Sequence, residues 1–285
     1  MKKITIKDKN YPVRLKKIPD PPKQLYVEGN DNLLVINNPL AVVGTRKISD
    51  YGRQMTEYFV KDLVRAGIII VSGLALGVDG LAHRITLENN GRTIAVLGSG
   101  LKHIYPTVHK KLAEKIVASG GALVSEYPPQ APPYQSNFPA RNRIISGLSL
   151  GVLVIEAPKN SGALITADFA LKQKRKVFVV PGRVYDKNSQ GANELIKQGG
   201  QLVSEPKDIL KILNIKPILQ KTEITKNLSP EEKIILEILT KEPVQIDKIA
   251  RKTKLPTDKI ISILTIMEVN GAIKDLGGGH YVKIK

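Results

Sequence analysis

Small and polar residues follow four apolar runs of this sequence, at positions where they can bind an anion. The runs end at residues 43, 71, 97 and 155. Glycine lets a backbone N–H group approach an anion closely, and the N-terminus of a following helix adds unpaired donors with a partial positive charge. The residues expected to line one anion-binding crevice are Gly44, Thr45, Arg46 and Lys47 after the first run, Ser72, Gly73 and Leu74 after the second, Gly98, Ser99 and Gly100 after the third, and Ser161, Gly162 and Thr166 beyond the fourth.

Arg46 is the strongest candidate for a phosphate contact, because it leaves a predicted buried strand at the mouth of this crevice. A single Gly/Ser turn after a strand is more often only a tight connection to the next helix. The segment from Gly98 to His103 lacks the third glycine of a dinucleotide-binding fingerprint, so it gives little support for NAD. The alternative role of Arg46 is an internal ion pair with a carboxylate such as Glu156.

A second segment combines aromatic, basic and amide side chains at the start of a predicted helix. It contains Phe138, Arg141, Asn142 and Arg143. Arginine and asparagine donate to phosphates and base edges, and a phenyl ring stacks on an unpaired base. The alternative is a basic amphipathic helix start with Phe138 in the core.

The chemistry-bearing residues do not indicate a catalytic or metal site. The chain has no cysteine and only four histidines, whose spacing matches no ligand pattern, so we expect neither a metal nor a cofactor. Asp79 and His83 stand four residues apart, but Asp79 suits a helix N-terminus and His83 a local hydrogen bond better than an acid/base pair. Glu156 has no nucleophile beside it, and we expect it to fix neighbouring loops.

The elements that position these residues follow from the apolar pattern. Runs such as 68–71, 93–97, 152–155 and 177–180 are continuous, which is typical of strands buried on both faces, and segments with helical periodicity separate them. This alternation predicts an α/β fold with a Rossmann-like, doubly wound, mostly parallel sheet. Ligands bind beyond the carboxyl ends of the strands in such a sheet, where the residues above lie.

Four segments are predicted along the chain. Residues 1–40 are expected to form an extended N-terminal strap, because the prolines near residue 20 preclude a helix, and residues 41–213 are expected to form the Rossmann-like core. Residues 214–227 are polar and lysine-rich, as in a linker. Residues 228–285 predict a small winged-helix domain of three helices and a hairpin, which opens on a capping box at Ser229.

The charge of the chain favours a polyanionic partner. The formal net charge is +18, and the excess of basic over acidic residues is 11 in residues 41–216 but only 3 in residues 217–285. The main domain is therefore expected to carry most of the attraction. The N-terminus has no signal-peptide pattern and no window approaches a membrane span, so the sequence predicts a cytoplasmic protein that does not contact membranes.

A specific set of motifs links the chain to a known family. In chain order, the matching segments are Gly44–Arg46, Ser72–Ala75 with Gly77, Asp79 and His83, Ala95–Gly98, Tyr105-Pro106, Ser125–Pro129, Asn137–Leu148, Ser161–Thr166, and Pro181-Gly182 with Gly191 and Asn193. This pattern, over roughly residues 11–210, resembles the DNA-processing protein A (DprA/Smf) family. The predicted winged helix resembles the small C-terminal domain that many members carry.

The resemblance implies a non-catalytic homodimer that binds single-stranded DNA entering a cell during natural transformation, shields it, and helps to load the RecA recombinase. Arg46 matches the arginine that members use on DNA, and Arg141 and Arg143 match their basic pocket. Members often place a basic residue where this chain has Thr107, and the candidates to substitute for it are His109, Lys110 and Lys111, which follow closely. The dimer contact is expected at Ile196 and Leu202, which flank the last helix and strand of the core.

Two functions are alternatives to the binding of single-stranded DNA. The first is a nucleotide-processing Rossmann enzyme similar to the phosphoribohydrolase (lysine decarboxylase-like) family, but that family's Pro-Gly-Gly-x-Gly-Thr-x-x-Glu motif is absent, and Pro181-Gly182-Arg183 is the nearest approach. The second is a regulator that binds duplex DNA through its winged helix. The third helix of that domain has few basic residues besides Lys259, which argues against sequence-specific duplex binding.

Overall fold

The computed structural model describes residues 1–215, 229–239, 242–253, 255–269 and 272–283. The chain divides into two compact units, residues 1–218 and 219–285. Apart from its first two residues, the predicted linker 214–227 lies outside the described residues.

The first unit is built on one sheet of nine strands within the described residues. The strands are β1 (Lys2–Thr5), β2 (Gln24–Gly29), β3 (Pro39–Val43), β4 (Ile69–Ser72), β5 (Thr93–Val96), β6 (Ala122–Ser125), β7 (Gly151–Val154), β8 (Lys176–Val179) and β9 (Gln201–Leu202). Their order is β1-β2-β6-β5-β4-β3-β7-β8-β9. The strands from β3 to β9 pair in parallel, which confirms the predicted mostly parallel α/β sheet.

Helices cover both faces of this sheet. They are α1 (Val13–Lys16), α2 (Asp50–Arg65), α3 (Val78–Glu88), α4 (Lys110–Ala118), α5 (Asn137–Leu148), α6 (Gly162–Lys172), α7 (Gln190–Lys197) and α8 (Pro206–Ile212). Alternate residues of β3 belong to different cores, since Ala41 and Val43 pack with α5 and α6 while Leu40 and Val42 pack with α2 and α3. A strand that is apolar at every position therefore fits between two helical layers.

The N-terminal segment corrects the expectation of an extended strap. Residues 1–40 form β1 and β2, which pair antiparallel with each other, and β2 pairs antiparallel with β6. In β2, Leu25 and Val27 are buried while their neighbours are not, which is the alternation of a strand with one face on the core. Helix in this segment is limited to the single turn of α1 and a short 3₁₀ helix (Asp31–Val35), while the residues on either side of the prolines extend the sheet.

The strand order places a topological switch point between β3 and β7. From β3 the chain builds β4, β5 and β6 on one side, and it then returns to add β7 and β8 on the other side. The helix after β3 packs against α3 and α8, and the helix after β7 packs against α5 and α7. The two connections thus diverge to opposite faces and leave a crevice at the carboxyl ends of β3 and β7.

The second unit is a winged helix, as the sequence predicts. Its elements are α9 (Pro230–Ile238), β10 (Val244–Gln245), α10 (Ile246–Thr253), α11 (Thr257–Val269), β11 (Ile273–Asp275) and β12 (His280–Lys283). Ser229 and Glu232 form the capping box. Gly277, Gly278 and Gly279 all have positive φ, which explains the run of glycines in the turn between β11 and β12.

No helix within the described ranges is long and apolar enough to cross a membrane.

Candidate nucleic-acid interface

A crevice of about 540 Å³ lies at the carboxyl ends of β3 and β7. This volume is within the range of roughly 300–1,000 Å³ that small-molecule sites occupy. Ten of the predicted site residues line it, namely Gly44, Thr45, Arg46, Lys47, Phe138, Arg141, Asn142, Ser161, Gly162 and Thr166. The structure therefore brings together residues from three separate segments of the sequence.

Backbone hydrogen bonds hold the turn after β3 in place. The Thr45 N–H donates to the Glu156 carbonyl at 2.8 Å, and the Thr45 carbonyl accepts from the Val78 N–H at 3.2 Å. A Cβ on Gly77, which has φ of +76°, would lie 2.2 Å from the Thr45 carbonyl oxygen, so glycine is required for this approach. The turn fixes the backbone at Arg46, whose side chain is exposed.

Arg46 projects beside an aromatic pair. Its guanidinium lies 6.0 Å from the centroid of the Phe138 ring, and the Phe138 and Tyr105 rings are 5.4 Å apart. Within the residues that the structure describes, no carboxylate lies within 4.0 Å of Arg46. The internal pair with Glu156 is not formed, because the buried Glu156 carboxylate accepts from the backbone N–H and the hydroxyl of Ser49. The cationic group is therefore available to a ligand.

Phe138 is half-buried and not part of the closed core. One part of its ring packs on Gly98, where a Cβ would lie 2.7 Å from Phe138 Cδ1. The rest of the ring lines the crevice, together with Tyr105, which is 47% exposed. Gly98 thus does not line the crevice itself but makes room for the aromatic ring that does.

The N-terminus of α6 opens into the same crevice. Ser161 is its N-cap and accepts from the Ala163 N–H at 3.3 Å. Nothing lies within 4 Å of a Cβ built on Gly162, so the space in front of this backbone is free. Asn142 donates from Nδ2 to the Gly162 carbonyl at 3.2 Å, which ties α5 to α6 across the crevice. The partial positive charge of this helix end favours an anion.

Arg141 forms the floor of the crevice and is only 4% exposed. It donates from Nη1 to the carbonyls of Gly73 (2.9 Å) and Val96. Burial lowers the pKa of Arg141 to about 10, and the nearby Asp79 carboxylate offsets part of this effect. Its hydrogen bonds indicate that Arg141 holds the ends of β4 and β5 together under the site.

Arg143 does not reach the crevice. Its guanidinium donates to both carboxylate oxygens of Glu126, at 2.8 and 2.7 Å, and to Asp20 at 2.9 Å. This arrangement fastens the N-terminal segment and the end of β6 to α5. All three nitrogens of the Arg143 guanidinium are therefore engaged in hydrogen bonds within the protein, which gives no support to its expected role in a basic pocket.

Several other predicted residues lie outside the crevice. Ser72 donates to the Val42 carbonyl, Ser99 donates to the His103 carbonyl, and Leu74 is fully buried. Gly100 is packed against the Pro128 and Pro129 carbonyls, and Lys110 begins α4. Gly73 lines an adjoining recess of about 60 Å³ together with Leu76, Tyr105 and Phe138.

Asp79 and His83 are buried and engaged in structural hydrogen bonds. Asp79 accepts from the Gly73 N–H at 3.0 Å, and burial raises the pKa of Asp79. The Thr93 hydroxyl donates to the Ile70 carbonyl, so its lone pair accepts from His83 Nδ1. His83 Nε2 has no hydrogen-bond partner among the residues that the structure describes. Burial lowers the pKa of His83 to about 3. Asp79 lines the crevice, whereas His83 is not among the lining residues.

The lining of the crevice is positive. Asp79 is its one carboxyl side chain within the described part of the chain, and Arg46 and Lys47 stand exposed at the opening. No group of three or more His, Asp or Glu side chains among the described residues can hold a metal ion. The arrangement suits the recognition of an anion with a flat apolar group attached.

Among the described residues, four further uncharged polar side chains that line the crevice are absent from the predicted site, namely Tyr105, Gln135, Asn160 and Asn188. Asn188 follows β8 and is positioned by donating to the Lys47 carbonyl at 3.0 Å. Tyr105 follows β5 and Asn188 follows β8, and each lies nine residues past the end of its strand. The rule that residues directly after parallel strands meet at one edge of the sheet therefore gives only a weak signal for both.

Comparison with known proteins gives matches over most of the chain. Residues 2–214 match the family model of DNA recombination-mediator protein A, and residues 220–279 match the DprA winged helix domain. The chain is 42% identical to Protein Smf of Escherichia coli over 283 residues, covering 96% of this chain and 75% of that protein. It is 44% identical to DNA processing protein DprA of Bacillus subtilis over 210 residues, covering 74% and 70% of the two chains.

Two solved structures share the fold of the first unit. The structure of DNA processing protein A from Streptococcus pneumoniae superimposes with a TM-score of 0.70 at 42% identity, covering 74% of this chain and 73% of that one. The structure of DNA processing protein A from Helicobacter pylori, described for its single-stranded DNA binding mode, gives a TM-score of 0.67 at 33% identity and covers 75% and 96% of the two chains. The chain therefore belongs to the DNA recombination-mediator protein A (DprA/Smf) family.

Proposed function

We propose that the crevice binds single-stranded DNA, with a phosphate near Arg46 and a base on the Phe138–Tyr105 pair. The observation that carries this proposal is an exposed arginine with no carboxylate partner among the described residues. It lies beside half-exposed rings, and open space lies in front of the N-terminus of α6. A guanidinium gives forked, charge-assisted hydrogen bonds to phosphate oxygens. Aromatic rings stack on any unpaired base, so little sequence preference is expected.

The preference for a single strand follows from the shape of the site. Bases of a duplex are stacked on one another and do not offer their faces to Phe138 or Tyr105. The crevice has the dimensions of a small-ligand pocket, and it is not a groove for a double helix. The relative from H. pylori, described for a single-stranded DNA binding mode, supports this substrate class.

The role that fits this binding is DNA processing during natural transformation in the cytoplasm, without catalysis. The relatives named DNA processing protein DprA support that role. We propose further that the bound strand is protected and handed to the RecA recombinase. The engagement of Asp79 and His83 in buried structural hydrogen bonds supports a binding rather than a catalytic site.

We also propose a homodimer through the late part of residues 41–213. Leu202 is 53% exposed on β9, the edge strand of the sheet, and Ile196 is half-buried on α7. An unpaired edge strand with an apolar side chain is a surface that proteins usually cover. A symmetric contact between two copies covers it without an additional partner.

A competition titration tests the proposed substrate. A labelled oligothymidylate bound to the full chain is displaced with unlabelled single-stranded DNA, duplex DNA or mononucleotides. We expect the single strand to compete best, and we expect its affinity to fall as salt rises, because bound phosphates release counterions. Equal competition by duplex DNA would overturn the proposal, and so would preferential displacement by a mononucleotide. RecA loading is tested by whether the same chain shortens the lag of RecA assembly on that strand.

A further inference from the structure

A turn beside the crevice exposes two apolar side chains. The Asp186 N–H donates to the Arg183 carbonyl at 3.1 Å, which closes a β-turn with Val184 and Tyr185 at its centre. Val184 is 77% exposed and Tyr185 is 97% exposed. Glycine, asparagine, aspartate, serine and proline dominate central turn positions, and an aromatic ring in full contact with water adds nothing to folding stability there. The choice of residues at this turn therefore needs another reason.

The loop that carries Tyr185 is held at both ends. Gly182 and Asn193 exchange two hydrogen bonds, of 3.2 and 3.0 Å, and the Tyr51 hydroxyl donates to the Pro181 carbonyl. On the other side, the Asp186 carboxylate accepts from the Asn188 N–H at 3.0 Å. A side chain on such a fixed turn is presented to a partner with little loss of backbone entropy on binding.

The loop also reaches the crevice through one residue. Asn188 lines the crevice and is bonded to the Lys47 carbonyl, so the turn and the Arg46–Lys47 segment are neighbours. Arg183 and Lys187 flank the turn, and both are exposed. Neither has a carboxylate within 4.0 Å among the residues that the structure describes. An aromatic ring between free cations is the combination that single-strand binding surfaces use.

The turn and Phe138 lie on opposite sides of the switch point. Phe138 packs on Gly98, which follows β5, whereas the turn follows β8, and the sheet order between them is β5-β4-β3-β7-β8. Four interstrand spacings separate β5 from β8, which is about 19 Å. A strand held at Arg46 above β3 with one base on Phe138 would leave the crevice on the β8 side, beside Tyr185.

We propose that Tyr185 is a second base-stacking platform, which binds a nucleotide of the same DNA strand outside the crevice. This inference rests on the proposed function of the crevice. It assigns the path of the strand along the carboxyl edge of the sheet, from Phe138 across Arg46 to the turn at residues 183–186. Arg183 and Lys187 contact phosphates next to the stacked base.

The absence of tryptophan from the chain provides a direct probe. Tyr185→Trp introduces a single reporter, whose fluorescence is quenched when a base stacks on it. The matched control is Tyr58→Trp on α2, which replaces another exposed tyrosine outside the crevice lining. We expect an oligothymidylate to quench the first reporter strongly and to leave the second unchanged. A Tyr185→Trp signal that does not respond to saturating oligothymidylate would overturn the platform.

Affinity measurements with strands of different length give an independent test. Tyr185→Ala should weaken binding of an oligothymidylate of about 12 nucleotides roughly fivefold or more, while Tyr185→Phe retains binding. A dinucleotide is too short to span the site, and its affinity should not change. If Arg46→Ala weakens binding but Tyr185→Ala does not, the platform is refuted and the crevice stands. If Arg46→Ala has no effect on either strand, the proposed function itself fails. A change in sedimentation of Tyr185→Ala would assign the turn to a protein contact and overturn the platform.

Discussion

Replacing Arg46 by alanine removes an exposed guanidinium at the opening of the crevice. The side chain has no carboxylate partner within the described residues, and its ring contact with Phe138 is at 6.0 Å, the outer limit of a cation–π interaction. Its removal should therefore change the free energy of unfolding by no more than about 0.5 kcal/mol. The melting temperature should move by about 2 °C at most.

The effect on DNA binding should be much larger. A charge-assisted hydrogen-bonded contact contributes about 1.5–3 kcal/mol, which corresponds to a loss of affinity of about tenfold to 150-fold. Arg46→Lys should recover only part of this loss, because an ammonium group cannot form the forked contact. The slope of log affinity against log salt should also become shallower by about one unit, as expected when one phosphate contact is lost.

Fluorescence anisotropy with a labelled oligothymidylate and a parallel thermal melt measure both quantities on one preparation. The matched control is Arg92→Ala, which removes the same charge from an exposed residue just before β5. Arg92 lies at the amino ends of the parallel strands, whereas the crevice lies at their carboxyl ends. We expect the control to bind nearly as tightly as the unmodified chain. Wild-type affinity in a folded Arg46→Ala chain would refute the reasoning, and so would an affinity loss that follows a fall in melting temperature.

Three further changes separate structural from binding roles. Arg141→Met should lower the free energy of unfolding by about 3 kcal/mol in urea titrations, because it removes the buried donors to the Gly73 and Val96 carbonyls. Unchanged stability would contradict the structural role of Arg141 under the crevice. His83 has a pKa of about 3 in the folded chain, below its ordinary value of 6.5, so its contribution to the free energy of unfolding is complete above pH 6.5 and is lost as the pH falls toward 3. His83→Gln should flatten the pH dependence of the urea midpoint over that window. An unchanged pH profile would refute the burial argument. Ile196→Glu should shift the proposed homodimer to monomers in sedimentation velocity while the melting curve stays cooperative, and an unchanged dimer would exclude this surface.

The sheet was predictable because buried parallel strands have a simple signature. β4, β5, β7 and β8 are apolar at nearly every position, and turn residues follow each of them. β2 was missed because its sequence QLYVEG alternates weakly and comes directly after a proline-rich stretch. Its partner β6 lies almost a hundred residues later, and no local pattern specifies that pairing.

The candidate site was predictable where position along a strand decides the outcome. Thr45, Arg46 and Ser161 lie in the crevice because the ends of adjacent parallel strands converge. The two arginines of α5 show the limit of this reasoning. Arg141 donates to the Gly73 carbonyl at the end of β4, while Arg143 donates to the Glu126 carboxylate. Only tertiary packing distinguishes the two. A sequence pattern identifies basic residues on a helix but not the carboxylates that neutralise them.

The position of DNA on the protein is the most direct test of the account. A single-stranded oligonucleotide that carries photoreactive 5-iodouridine can be cross-linked to the full chain, and the attached residues can be identified by mass spectrometry. We predict cross-links at Phe138 or Tyr105, the rings that line the crevice, and their loss in Arg46→Ala. Cross-links confined to residues 229–283 of the winged helix, with none in the crevice, would contradict the central claim.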